Sequence, residues 1–120
     1  MSTKSYRKKK RLRKKADKLY FEALLKSMCE ACGKKATQVH HFFPKGQYGH
    51  LRYDEDNAIS LCPACHFAHH HKGDPEIHIK VIENRGEKWF EKLREKAHHN
   101  PKSFKTIDWY KKQIEKFQLK

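Results

Sequence analysis

The stretch CPACHFAHHH, Cys62 to His71, holds two cysteines and four histidines in ten residues. Thiolate is a soft metal ligand and imidazole a borderline one, so the two kinds together suggest two separate tasks. A second C-x-x-C pair lies upstream, Cys29 and Cys32 in CEACGKK. Two such pairs, Cys29/Cys32 and Cys62/Cys65, complete a tetrahedral four-sulfur Zn2+ site. Four thiolates leave no open position for a substrate, so this ion is expected to be structural, stapling residues 29–32 to 62–65. The rival reading, two dithiol redox motifs, lacks the strand-to-helix context such motifs occupy.

Working outward from the knuckles, TQVHHFF reads as a short strand ended by Pro44, and AISL as a second strand. Between them KGQYGHLRYDEDN, with two glycines and many turn formers, reads as a loop. CPACHFAHHHKG should run from a turn into a helix. Asp74 and Pro75 suit the cap and first residue of a helix over PEIHIKVIENR, stopped by Gly86. Trp89, Phe90, Leu93 and Ala97 repeat at helical spacing until Asn100 and Pro101 break the pattern. A last helix places Ile107, Tyr110, Ile114 and Phe117 on one face. Upstream, an apolar stripe starts near Ala16 and runs through Leu19, Tyr20, Ala23, Leu24 and Ser27. The class expected is a small α+β fold.

The chain has 120 residues, 37% of them hydrophobic and 35% charged. A core of that size is marginal, and a bound metal is a common remedy. Lys and Arg number 28 against 14 Asp and Glu, a formal charge of +14. Such an excess points to phosphate polyanions as partners. It concentrates in MSTKSYRKKKRLRKK, residues 1–15, where like charges predict a loose arm. Lys8, Lys9, Lys10, Arg11, Arg13 and Lys14 of that arm, with Lys45 and Arg52 of the loop, are the candidate nucleic-acid contacts. The expected organisation is this arm followed by one domain over 16–120, with a core at 29–72 and C-terminal helices over 75–120. No apolar run approaches the roughly 20 residues of a membrane span, and no hydrophobic signal core follows the basic start. A cytoplasmic location is expected, where the cysteines stay reduced, with no membrane partner and no small-molecule cofactor.

Adjacent residues of a strand point to opposite faces. His40 and His41 therefore suit one ligand and one general base better than two ligands of one ion. Asn57 stands just before the second strand and His66 directly after the second knuckle. This order, carried by CEAC, VHHFFP, DEDNAISLC and CPACH, resembles the HNH nuclease family over residues 29 to about 71. The resemblance implies a two-stranded hairpin and helix gripping one divalent cation (the ββα-metal arrangement). It implies His41 as the base that takes a proton from water, His40 and His66 as cation ligands, and Asn57 as the residue that orients the base. His70, one helical turn beyond His66, matches an additional ligand of the colicin nucleases. Mg2+ or Mn2+ is the catalytic ion implied, although two neutral nitrogens suit manganese, nickel or zinc better than magnesium. His50, His69, His71, His78, His98 and His99 read as surface histidines.

HLRYDEDN, LCPACH, RGEKWFEKL and the terminal WYKKQIEKF are also similar to the phage NinG-type recombination proteins, over about residues 29–119. Where that pattern often carries asparagine after the second knuckle, this chain has His66. The likeness implies a role in phage recombination, in the host cytoplasm. The leading expectation is a metal-dependent DNA endonuclease. The alternative is a non-catalytic zinc module that binds nucleic acid. Only the first needs a base and its orienter, His41 and Asn57. A third reading, an adaptor using the Trp89/Phe90 helix, is weaker because aromatics at helical spacing are more often core. The sequence leaves the oligomeric state open.

Overall fold

The computed structural model describes residues 3–119. Two short strands, β1 (Gln38–His41) and β2 (Ala58–Leu61), pair antiparallel. The register sets Val39 opposite Ser60 and His40 opposite Ile59. β2 is buried along its whole length, as its apolar AISL sequence requires. Two single 3-10 turns, Gly49–Leu51 and Glu55–Asn57, lie in the connection between the strands. After β2 the chain enters helix α2 (Pro63–Lys72). The Cys62 sulfur caps it by accepting from the Cys65 amide at 3.4 Å, and Pro63 sits in the first turn, where no amide hydrogen is needed.

Gly73 ends α2 with φ at +61°, a left-handed conformation that glycine adopts without a Cβ clash. The chain then reverses into α3 (Glu76–Arg85), which packs beside α2. The Asp74 carboxylate accepts from the Glu76 amide at 3.0 Å, and Pro75 is the residue that precedes the first helical turn. Gly86 separates α3 from α4 (Glu87–His98). Phe42, Leu51, Ile59, Val81, Leu93 and Ala97 form the principal core here, with Trp89 and Phe90 packed against it. A smaller cluster of Cys29, Leu61, Cys62 and Ile77 lies at the cysteine knuckles.

By its contacts the chain divides into two compact units. The elements above belong to residues 24–100. The second unit joins the N-terminal segment as far as Ala23 to the segment from Pro101 onward. Its helices are α1 (Thr3–Leu24) and α5 (Ile107–Gln118). The Thr106 hydroxyl caps α5 by accepting from the Trp109 amide at 3.1 Å. Tyr20 meets Phe117 edge-on, with ring centres 5.5 Å apart, and Ala16, Tyr110 and Ile114 are buried nearby in sequence register.

The basic arm is a correction to the sequence reading. α1 begins at Thr3, not near Ala16, so the described part of the arm is helical and continuous with the apolar stripe. The physical reason is propensity. Lysine and arginine are good helix formers, and no glycine or proline interrupts residues 3–24. Repulsion among exposed charges is screened by salt and does not outweigh this. Residues 1 and 2 of the arm lie outside the described residues. Among the described residues, no helix is long and apolar enough to cross a membrane.

Candidate active site

The four cysteines converge. Their sulfurs all lie within 4.8 Å of one another, with Cys32 and Cys62 at 3.5 Å. The first knuckle is a tight turn in which Gly33 N–H donates to the Cys29 carbonyl at 2.9 Å. It is drawn to β2 because Glu30 N–H donates to the Ser60 carbonyl, also at 2.9 Å. Burial raises the Cys29 thiol, but backbone hydrogen bonds from Cys62, Ala31 and Cys32 outweigh it and bring the pKa to about 7. Burial and the neighbouring sulfurs push Cys65 the other way. One thiolate forms readily, and further negative charge on the same cluster needs a cation. The donor set therefore fits a structural metal such as zinc.

The second constellation centres on His40, only 6% exposed on β1. Its Nδ1 lies 3.3 Å from His70 Nε2, and its Nε2 lies 3.2 Å from His78 Nε2. Candidate ligand atoms of His40, His66 and His70 all lie within 4.8 Å of one another. His66 and His70 share a face of α2 at four-residue spacing, as expected. Burial, and then the adjacent imidazoles, lowers the His40 pKa to about 2 and that of His66 below its ordinary value. Neutral imidazoles with free lone pairs are what a divalent cation requires.

His41, the next residue of β1, has its Nε2 2.9 Å from the Arg52 carbonyl oxygen. A carbonyl only accepts, so Nε2 carries a proton, and in a neutral imidazole with that tautomer Nδ1 is the basic nitrogen. His41 lines an open cleft of about 440 Å³ together with His40, His66, His69, His70, Val39, Pro44, Lys45 and Gly46. Lys45 is thus beside the histidines. Arg52 contributes its backbone to His41, while its guanidinium lies 5.8 Å from the Tyr53 ring centre.

Asn57 is completely buried. Its Oδ1 accepts from Phe43 N–H at 2.8 Å, and its Nδ2 donates to the Phe43 and Leu51 carbonyls at 3.0 and 3.2 Å. These partners are the backbone of Phe43 and Leu51, not His41. Asn57 pins the loop, and the loop presents the Arg52 carbonyl to His41.

Two histidines read as surface residues belong to the cluster instead. His69 and His78 stack at 4.3 Å and 20°, and both approach His40. His78 also stacks on Phe42 at 4.1 Å. Its signal was its own helix: His78, Val81, Ile82 and Arg85 share a face at three- and four-residue steps. His69 was legible as the three-residue neighbour of His66. His50 is likewise more than a surface residue, its Nε2 lying 2.9 Å from the Lys96 carbonyl. His71, His98 and His99 are exposed, as expected.

Residues 29–72 match the family model described as HNH endonuclease. The matched segment contains both knuckles, His40, His41, Asn57, His66 and His70, and it carries a nuclease-type reading. No curated protein and no solved structure matches the chain. The remaining candidate contacts lie on α1. Lys9, Lys10 and Arg13 line a shallow basic recess of about 270 Å³ with Tyr6, Lys105 and Tyr110. Lys8, Arg11 and Lys14 are on the same helix.

Proposed function

We propose that this protein is a metal-dependent DNA endonuclease in which His41 is the general base. The carrying observation is the His41–Arg52 contact beside the histidine cluster. It fixes Nε2 as a donor on a ring that lines the open cleft. In this reading a water in the cleft gives its proton to His41 Nδ1 as its oxygen attacks phosphorus and the bond from phosphorus to the sugar oxygen breaks. His40, His66 and His70 would hold the divalent cation, which when bound stabilises charge developing on the phosphate and leaving oxygen. Three nitrogen donors favour manganese or another transition ion over magnesium. Lys45 lies where it can meet a backbone phosphate, and the cations of α1 add affinity without sequence preference.

The test is nicking of supercoiled plasmid with Mg2+ or Mn2+, wild type beside His41→Ala. Wild type should produce open circles, and the variant should be slower by about 10²- to 10⁴-fold, the usual contribution of a general base. The similarity to phage recombination proteins makes branched DNA the second substrate to include. If both proteins leave plasmid, linear, branched and single-stranded DNA intact with every metal, the chain is a non-catalytic zinc module that binds nucleic acid.

A further inference from the structure

His40 is flanked at both ring nitrogens, and the nuclease reading uses only one side. His66 and His70 form one ligand group with it; His69 and His78 form another, with candidate donor atoms again within 4.8 Å. We infer that His40, His69 and His78 form a second transition-metal position, at the Nε2 side of the His40 ring. This goes beyond the nuclease reading and shares with it only the His40 side chain.

The geometry suits an ion. Tetrahedral zinc with bonds of 2.0–2.1 Å sets its nitrogen ligands about 3.3 Å apart, and His40 Nε2 and His78 Nε2 stand at 3.2 Å. The rings are already fixed in place: Phe42, His78 and His69 make a stack with spacings of 4.1 and 4.3 Å. Little side-chain freedom remains to be lost on binding. A hydrogen bond between His40 and His78 accounts for one of these contacts but not for His69. The Nδ1 atom of His69 is buried without a hydrogen-bond partner at bonding geometry among the described residues, with the Asp74 backbone beside the ring. An all-imidazole set selects zinc, cobalt, nickel or copper and discriminates against magnesium.

A neutral imidazole has a single lone pair. The two positions therefore take His40 in turn, and an ion held by His69 and His78 withdraws His40 from the cleft-side group.

The experiment is cobalt titration of the full chain, followed by visible absorption and by metal counting after gel filtration. His66→Ala/His70→Ala removes the cleft-side group at two positions that are exposed or half-buried, where the fold tolerates truncation. This variant should bind two cobalt ions: one with thiolate charge-transfer absorption from the cysteines, one without. Adding His78→Phe keeps a ring against Phe42 but removes the donor, and should weaken the second ion at least tenfold while the thiolate band persists. That persistent band reports that the knuckles remain folded. One cobalt ion in the double variant, or a second ion indifferent to His78→Phe, would overturn the inference. Because the readout is binding, it is separate from the outcome of plasmid nicking.

Discussion

Asn57 shows how much one side chain can organise. Its amide satisfies three backbone groups of the connection between the strands, in a place with no access to water. Asn57→Ala would leave those groups without partners, and each buried unsatisfied group costs about 1–3 kcal/mol. A loss of about 3 kcal/mol is expected in urea unfolding, with His41 freed from its carbonyl. If stability is unchanged, the loop does not depend on this amide. At this scale the period of a strand made the different faces of His40 and His41 legible. The helical spacing of His66 and His70 was legible for the same kind of reason. His78 was not. It is 38 positions from His40, and only the reversal at Gly73 returns α3 to the strand. Sequence spacing cannot report such a return.

Between elements, the decisive contact is an ion pair. Arg85 of α3 grips both Glu30 oxygens, at 2.6 and 2.8 Å, and also donates to the Ala58 carbonyl of β2. Glu30 accepts from the Ser60 amide at 2.7 Å, so the pair fastens the first knuckle, β2 and α3 together. Burial alone would raise the Glu30 pKa. The Arg85 and Ser60 hydrogen bonds outweigh it and hold the carboxyl below its ordinary 4.5. The carboxylate therefore contributes stability that is fully present above the unfolded pKa and is lost as pH falls through the folded one. Glu30→Gln should flatten this acid limb between about pH 4.5 and the lower folded value. It should also cost about 3–5 kcal/mol at neutral pH, because it leaves a mostly buried guanidinium uncompensated. Thermal melts across pH check both. An acid limb as steep as wild type would assign the proton uptake elsewhere. No local spacing joins Glu30 to Arg85, 55 positions apart, because their pairing is a product of the tertiary fold.

At the level of the whole molecule, the cysteine convergence was readable because two C-x-x-C pairs together supply the four thiolates of one tetrahedral site. The division into two units was not. The N-terminal segment and the segment from Pro101 are far apart in sequence, and nothing in their separate helical patterns announces that they share one unit. Only 37% of the chain is hydrophobic, and the four converged sulfurs could hold a metal that adds to the stability of their unit. With zinc as the knuckle metal, stripping it with a strong chelator should release it and abolish the cooperative melt of that unit, and replacing Cys29 or Cys62 with serine should abolish the same melt. Circular dichroism with a colorimetric zinc assay follows both. An unaltered melt after complete zinc release would make the ion dispensable.

One consequence of α1 reaches beyond the protein. At 1.5 Å per residue, its 22 residues extend about 33 Å, close to the 34–36 Å of one turn of duplex DNA. In the proposed nuclease such a rod would act as a ruler. Affinity for oligonucleotide duplexes should climb with length until about ten base pairs can lie alongside it, and then level off.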